Sequence, residues 1–220
     1  MRKRILIQEK LTILDAKLER LPSNYVKELT NDRGEISIEV DPDDLMKTMK
    51  ILKEDPDFSF GQLIDIATVD YLQYGVSDWK TNEASGQGFS RAITSTESSR
   101  NEGERRFAVV YHLLSLKNNW RIRVKTFPRQ DLKLESVIDI WPSADWFERE
   151  SFDLFGILFI GHPDLRRLLT DYGFSGHPFR KDFPLEGYTE VRYDPDEKRV
   201  ISEPVSIEPR TLVPKVIRDS

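Results

Sequence analysis

Residues 141–193 hold the densest group of residues with special structural roles, and they read WPSADWFERESFDLFGILFIGHPDLRRLLTDYGFSGHPFRKDFPLEGYTEVRY. The first part of this stretch predicts a helix. Ser143 can cap its N-terminus, Asp145 suits the positive end of the helix dipole, and Gly156 suits the left-handed residue that ends a helix. Beyond Gly156 the helical periodicity stops, so the residues that follow need a separate interpretation.

Ionic side chains cluster on the predicted helix, at Glu148, Arg149, Glu150 and Asp153. Arg149 and Asp153 are four residues apart and are therefore neighbours on the helix surface. Because a counter-ion lies within the cluster, we interpret it as ion pairing at a surface or an interface, with Arg149 neutralising the carboxylates. The weaker alternative is a metal-dependent hydrolase built on Glu148, Glu150, Asp153 and His162.

After Gly156 the triplet Gly-His-Pro occurs twice, at residues 161–163 and 176–178, and a basic pair follows each copy. A long irregular segment is usually either functional or disordered, and this one is too rich in Phe and Tyr for a disordered tail. Since aromatic residues and Arg anchor interfaces, we predict that the segment docks on another protein chain. The predicted structural and partner-docking residues are Glu148, Arg149, Glu150, Asp153, Gly156, His162, Pro163, Arg166, Arg167, Gly176, His177, Pro178, Arg180, Lys181, Asp182 and Arg192.

Composition argues against several classes of function. The chain of 220 residues has a formal net charge of -5, which disfavours a general nucleic-acid binder. It contains no cysteine and therefore cannot hold an iron–sulfur cluster through thiolates. Gly173 and Gly176 lack the preceding strand and the following helix of a phosphate-binding loop. We expect no catalytic residue in this chain and no cofactor or metal bound by it.

The sequence contains no targeting segment that we can identify. Its N-terminus is basic, but the apolar run Ile5-Leu6-Ile7 is too short for a signal peptide. No stretch approaches the roughly 18 apolar residues of a membrane span. We therefore expect a soluble chain that reaches a membrane only through its partners.

Hydrophobic patterning predicts helices and strands in the order that follows. The predicted elements are a helix at 9–21, a strand at 35–40, a second helix, strands at 62–72, 107–116 and 120–125, and the helix described above. The second helix is predicted to begin with Asp41 as N-cap and Pro42 in its first position, and to end before Pro56. This order predicts an α+β fold, a two-layer α/β sandwich with a mixed sheet of ferredoxin-like character, followed by a long extended C-terminal segment. The predicted domains are 1–156, with a mobile insertion at about 75–106, and an irregular, partner-wrapping segment at 157–220.

The predicted strand at 120–125 has one charged face. Trp120, Ile122 and Val124 alternate with Arg121, Arg123 and Lys125. The apolar face belongs to the core. The basic face is consistent both with a solvated sheet surface and with a docking surface for a partner.

Several motifs in residues 148–193 together resemble the signature of one protein family. They are Glu148-Arg149-Glu150, Phe152-Asp153-Leu154-Phe155-Gly156, Gly161-His162-Pro163, Arg166-Arg167-Leu168-Leu169, Asp171-Tyr172-Gly173-Phe174, Gly176-His177-Pro178, Arg180-Lys181-Asp182-Phe183-Pro184, Gly187-Tyr188 and Glu190-Val191-Arg192-Tyr193. The family is the 30-kilodalton subunit of respiratory complex I, known in bacteria as the C subunit of NADH–quinone oxidoreductase. The resemblance covers about fifty residues strongly, and the insertion at 75–106 is not part of the family core.

The resemblance implies a scaffold subunit in the peripheral arm of a proton-translocating enzyme complex. Such a chain packs against the 49-kilodalton-type subunit that helps form the quinone site, and lies near cluster-bearing subunits. FMN and the iron–sulfur clusters are then held by the partner subunits, and the complex lies on the cytoplasmic side of the bacterial inner membrane. An equivalent scaffold subunit of a membrane-bound hydrogenase is the alternative, which the neighbouring genes would distinguish.

Overall fold

The computed structural model of the chain describes residues 11–22, 25–74 and 105–207. Its helices are α1 (11–18), α2 (Leu45–Glu54) and α3 (Ala144–Phe155). Its strands are β1 (Glu28–Asp32), β2 (Glu35–Glu39), β3 (Gln62–Asp70), β4 (Phe107–Ser115), β5 (Trp120–Thr126), β6 (Lys133–Glu135), β7 (Leu158–Ile160), β8 (Thr189–Asp194) and β9 (Arg199–Pro204). The predicted mobile insertion at about 75–106 lies outside the described residues except for Arg105 and Arg106.

The main sheet has five strands in the order β1-β2-β5-β4-β3. The β2–β5 pair is parallel and the other pairs are antiparallel, so the sheet is mixed, as the sequence predicts. β4 lies between β3 and β5, and Tyr111 is opposite Ile66 on one side and Val124 on the other. The α+β prediction is confirmed.

Alternation along the strands places one face of the sheet against the helices. The buried core contains, among others, Leu14, Leu18, Ile36, Ile38, Leu45, Met49, Leu52, Tyr111, Leu113, Ile122 and Val124. These positions are the apolar ones of the predicted helices and strands. Their burial, worth about 1.5–3 kcal/mol for each large side chain, is the main contribution that holds α1 and α2 on the sheet.

Among the described residues, partners are found for two of the three basic side chains on the opposite face of β5, Arg123 and Lys125. Arg123 forms an ion pair with Glu35 at 2.8 Å. The ammonium of Lys125 lies 5.2 Å from the ring centroid of Tyr71 and 4.7 Å from that of Phe127. Glu35 therefore neutralises one charge of this row, and aromatic rings contact a second, so the face is not a uniformly basic surface.

Strand β1 is an edge strand that the sequence analysis did not predict. Leu29 is its only apolar residue, so the strand lacks the alternation that reveals a half-buried strand. The tight turn to β2 contains Arg33 and Gly34, both with positive φ. The sequence Asp32-Arg33-Gly34 could have indicated this turn, because a residue with positive φ is favourably a glycine.

The ends of the helices confirm some predicted caps and correct one. Asp41 accepts a hydrogen bond from the Asp43 N–H at 3.2 Å, at the start of a short 3-10 helix that leads into α2. Gly156 ends α3 in the left-handed conformation, with φ +80. Ser143 does not cap α3, because its backbone is already helical and its hydroxyl instead donates to the Leu63 carbonyl at 3.4 Å.

The chain divides into two compact units, residues 1–181 and 182–220. Residues 157–181, which the sequence analysis assigned to the C-terminal segment, therefore belong with the sheet. Part of the reason is the short parallel pair of β6 and β7, in which Leu134 lies opposite Phe159 and both are buried.

The second unit contains an antiparallel hairpin of β8 and β9 in place of the predicted extended segment. Pro195 lies in the turn and Pro204 is the last residue of β9, two positions at which proline is compatible with a hairpin. Arg192 and Glu203 form an ion pair at 2.8 Å on one face of the hairpin.

Within the described ranges, none of the helices has the length and apolar character needed to cross a membrane.

Candidate functional site

Helix α3 carries the predicted cluster, and most of the cluster is buried. Glu148, Arg149 and Asp153 are all less than one tenth exposed. The residues before the helix fix it to the start of β3, since the indole N–H of Trp141 donates to the carbonyl of Phe60 at 3.2 Å. The ionic groups of the helix are therefore inside the protein, where each one needs a polar partner.

Asp153 is the anchor for the segment that follows the first Gly-His-Pro triplet. Its Oδ2 accepts the backbone N–H groups of Leu168 at 3.0 Å, Leu169 at 2.7 Å and Thr170 at 2.9 Å. Its Oδ1 accepts the Thr170 hydroxyl at 2.6 Å and Nη1 of Arg167 at 3.0 Å. Burial raises the pKa of Asp153, but these hydrogen bonds outweigh burial and lower the pKa to about 2. The carboxylate stays ionised and holds a whole turn of the chain.

Arg149 supports the same segment through backbone carbonyls. Its Nε donates to the carbonyl of Arg166 at 3.1 Å and its Nη2 to the carbonyl of Arg167 at 3.3 Å. The prediction that Arg149 neutralises the helix carboxylates is wrong, because its guanidinium is directed at these carbonyls and Asp153 pairs with Arg167 instead. The guanidinium thus provides donors for two backbone carbonyls of an irregular segment, which lacks the regular backbone hydrogen bonds of a helix or sheet.

Glu148 serves a different part of the chain. Its carboxyl accepts the hydroxyl of Ser136 at 2.6 Å and the N–H of Val137 at 2.8 Å, so it fixes the connection between β6 and α3. Burial raises the pKa of Glu148 to about 7, against the opposing effect of these two hydrogen bonds. Glu150 is half-buried and forms no ion pair with another described residue.

The second Gly-His-Pro triplet caps the C-terminal end of α3. The carbonyls of the last helical turn have no partner inside the helix. Nδ1 of His177 donates to the Asp153 carbonyl at 2.9 Å, and the N–H of Phe179 donates to the Leu154 carbonyl at 3.1 Å. Nε of Arg180 donates to the carbonyl of the residue that ends the helix, at 2.6 Å. Burial lowers the pKa of His177, which keeps the ring neutral for this role.

Gly156 is required at the junction for two reasons. Its φ of +80 is a conformation that other residues rarely adopt. A Cβ at this position would also lie 2.5 Å from Nη2 of Arg180 and 2.7 Å from Nε2 of His177. His177 of the second triplet and Arg180 of the basic pair therefore pack directly on the glycine that ends the helix.

The first Gly-His-Pro triplet contacts the other end of α3. Nε2 of His162 lies 3.2 Å from the carbonyl of Asp145 and 3.3 Å from its carboxylate. Nδ1 accepts the N–H of Asp164 at 3.1 Å, so Nε2 is the donor. Arg166 pairs with Asp164 at 2.9 Å, and Pro163 is exposed.

Asp70 and Arg106 belong to the same framework and were missed by the sequence analysis. Asp70 ends β3 and forms two hydrogen bonds with Arg106, at 3.1 and 3.0 Å. It also accepts the backbone N–H groups of Leu72 at 2.9 Å and Lys181 at 2.8 Å. Burial raises the pKa of Asp70, but these donors outweigh burial and the pKa is lowered. An acidic residue at the end of a strand has no distinctive sequence signal, so only the fold reveals this contact.

The four residues of the alternative metal site do not converge. Glu148 is directed at residues 136–137, Asp153 at residues 167–170 and His162 at Asp145. Across the part of the chain that the structure describes, no group of His, Asp and Glu side chains is arranged to hold a metal ion. The geometry gives no support to the hydrolase alternative.

Large apolar side chains remain exposed on the segment that these buried groups support. Leu169 is 59% exposed, Phe179 is 58% exposed and Tyr172 is in full contact with solvent. The remaining predicted docking residues are Gly176 and Pro178 in the second triplet, Lys181, which is exposed, and Asp182 and Arg192, which are exposed in the second unit. In the first unit, buried ionic groups hold the segment that carries these exposed side chains.

Comparison with known proteins identifies the family of this chain. Residues 38–189 match the family described as "Respiratory-chain NADH dehydrogenase, 30 Kd subunit". The C subunit of the NADH-quinone oxidoreductase of Coxiella burnetii (strain Dugway 5J108-111) is 54% identical over 96% of this chain and 93% of the relative. The same subunit of Legionella pneumophila (strain Paris) is 54% identical over 92% of this chain and 90% of the relative.

A solved structure shares the fold. A chain of the membrane-bound sulfane sulfur reductase, an archaeal respiratory membrane complex, superposes with a TM-score of 0.52 at 23% identity. The match covers 84% of this chain and 87% of that chain. At this identity the likeness concerns the fold alone.

Proposed function

The chain belongs to the family of 30 kDa subunits of respiratory-chain NADH dehydrogenase, and from this premise we propose that it is a structural subunit of an NADH–quinone oxidoreductase. In this role it has no active site of its own, and the reaction belongs to the complex. It keeps neighbouring subunits in register for electron transfer from NADH through flavin and iron–sulfur clusters to quinone. The complex couples this transfer to proton translocation.

One observation carries the scaffold proposal. The ionic groups of the signature region are used to hold the chain's own backbone, as Asp153 does for residues 168–170 and Arg149 for residues 166–167. A catalytic cluster needs groups that are free to meet a substrate. Buried ionic groups that fix an irregular segment, together with exposed Leu169 and Tyr172 on that segment, are the arrangement expected of a docking surface.

The proposed partners are the other subunits of the peripheral arm. The principal partner is the 49 kDa-type subunit that contributes to the quinone site, with cluster-bearing subunits beside it. FMN and the clusters are held by those partners. The chain then lies on the cytoplasmic side of the bacterial inner membrane as a peripheral part of the complex. The names of the relatives favour this complex over the membrane-bound hydrogenase alternative.

The proposal is tested by purifying the tagged chain from detergent-solubilised membranes and identifying the co-purifying proteins by mass spectrometry. We expect flavin-, cluster- and quinone-site subunits in comparable amounts. Deletion of the gene should remove both the assembled complex and membrane NADH–quinone activity. Assembled and active complex in the deletion strain would contradict the proposal, and hydrogenase subunits in place of the flavin subunit would favour the alternative.

A further inference from the structure

Residues 179–181 are held at two points by buried groups of the fold. The N–H of Phe179 donates to the Leu154 carbonyl at 3.1 Å, at the end of α3. The N–H of Lys181 donates to the buried carboxylate of Asp70 at 2.8 Å, at the end of β3. The side-chain amide of Gln73 lies 3.5 Å from the Lys181 carbonyl. Two different elements therefore fix the backbone of a three-residue stretch.

Within this stretch Arg180 is turned toward the protein. Its Nε donates to the Phe155 carbonyl at 2.6 Å, and its guanidinium carbon lies 5.3 Å from the ring centroid of Phe107. Arg180 and Lys181 are both among the residues predicted to dock on a partner. The structure separates the two residues, because Arg180 is engaged in capping α3.

Phe179 faces outward although its position is fixed. Its ring packs edge-to-face on Phe155, with centroids 5.9 Å apart, and the residue is still 58% exposed. A single exposed apolar side chain on a protein surface needs no explanation. An exposed ring loses little conformational entropy on binding when its backbone is hydrogen-bonded to the end of a helix and its packing partner belongs to that helix, and this is the property of an interface anchor.

Lys181 supplies a positive charge two residues after Phe179 in the sequence. Its side chain is exposed, and its ammonium forms no ion pair with another described residue. Because the backbone of Lys181 is held by Asp70 and Gln73, its ammonium stays within one side-chain length of a fixed point that is two residues along the chain from Phe179. A partner with a carboxylate in that region would gain a charged contact and the correct register.

We propose that Phe179 and Lys181 form a two-point docking site for a neighbouring protein subunit whose surface combines an apolar pocket with an adjacent carboxylate. The inference rests on the proposed function, which supplies a neighbouring subunit, and it specifies the chemistry of that subunit's surface. The ring fills the pocket, and the ammonium selects the orientation. Arg180 acts behind the site as a positioning residue.

The test uses the full-length tagged chain as the sole copy in the cell. Solubilised membranes are resolved on native gels, and the ratio of assembled to free chain is measured. Loss of an interface anchor should lower this ratio about 30-fold for Phe179→Ala. Lys181→Gln should lower it about fivefold, with partial recovery in Lys181→Arg.

Control variants remove equally exposed groups elsewhere. Leu116→Ala lies in the turn after β4, where Leu116 is 75% exposed, and Lys50→Gln lies on the exposed side of α2. Both should leave the ratio within about twofold of wild type. Thermal melting of the purified variants checks the fold, and the lysine variants decide the question if Phe179→Ala proves unstable.

Normal assembly of both Phe179→Ala and Lys181→Gln, in cells where deletion of the chain abolishes assembly, would overturn the docking site and leave the scaffold function intact. An equal loss of assembly in the control variants would also overturn it, because the effect would not be specific to this site. If deletion itself leaves the complex assembled, the scaffold function and the docking site both fail.

Discussion

Thr170 donates two hydrogen bonds to Asp153, from its backbone N–H at 2.9 Å and from its hydroxyl at 2.6 Å. With Arg167, Leu168 and Leu169 it surrounds the carboxylate with donors. Asp153→Asn keeps the size of the side chain, but it removes the charge and replaces one acceptor with an NH₂ group. We expect a loss of about 3 kcal/mol of unfolding free energy at pH 7, measured by urea denaturation of the isolated chain.

The same site predicts a dependence of stability on acid. Asp153 has a pKa lowered from 3.8 to about 2 in the folded chain. Its stabilisation is therefore complete above the unfolded pKa near 3.8 and is lost as the pH falls through about 2. The contribution is about 2 kcal/mol, and the difference between wild type and Asp153→Asn should shrink over this window. Asp171→Asn, which removes a carboxylate at an exposed position, is the matched control.

Glu148 should make the unfolding free energy change with pH in the opposite direction, so that stability falls as the pH rises. Its folded pKa is raised from 4.5 to about 7, so the folded chain binds the proton more tightly than the unfolded chain. This contribution is fully present below pH 4.5 and is lost as the pH rises through about 7. Wild type should lose about 3 kcal/mol across this window relative to Glu148→Gln, which cannot ionise. Unfolding curves at several pH values test this, and parallel curves for the two proteins would contradict it.

Sequence patterning predicted the elements that bury a clear apolar face. Alternation of Trp120, Ile122 and Val124 predicted β5, and the Asp41-Pro42 start predicted the entry to α2. Strand β1 was missed because one leucine in five residues gives no periodicity, and its place in the sheet comes from pairing with β2. Local pattern therefore predicted core strands and missed an edge strand that tertiary pairing stabilises.

The sequence predicted which region of the chain contains the site, but it did not predict which residues contact each other within it. The helix spacing suggested that Arg149 meets Asp153, whereas both are directed at a segment 14 to 18 residues further along the chain. Spacing along a helix reveals neighbours on that helix only. Contacts to an irregular segment, such as the hydrogen bond between Asp70 and Lys181, depend on the path by which the chain comes back to the sheet. No periodic pattern in the sequence predicts that path.

Arg149→Ala should destabilise the chain by leaving two carbonyls without their donor. The carbonyls of Arg166 and Arg167 lie in a segment without regular structure, and the expected loss is about 2–4 kcal/mol. Assembled complex and NADH–quinone activity should fall together. A double-mutant cycle with Glu150→Ala separates this role from ion pairing, since the two losses should add within about 0.5 kcal/mol. Strong coupling would instead indicate that Arg149 neutralises Glu150.

Gly156→Ala tests how the second triplet is joined to α3. The added Cβ would meet Arg180 and His177 within 3 Å, in addition to the strain of a φ of +80. Gly173→Ala is the matched control, because Gly173 has a φ of +83 and a methyl group there would have no neighbouring atom within 4 Å. Backbone strain alone costs about 1–2 kcal/mol, so Gly173→Ala should lose about that amount of unfolding free energy.

The clash at Gly156 should add to that loss, because His177 and Arg180 cannot move without releasing the α3 carbonyls that they cap. We expect Gly156→Ala to lose at least about 1 kcal/mol more than Gly173→Ala, since capping hydrogen bonds are worth about that much each. Limited proteolysis should also cleave residues 176–181 faster in Gly156→Ala. Equal stability losses in the two variants, with equal cleavage, would mean that the segment does not depend on close packing against the end of the helix.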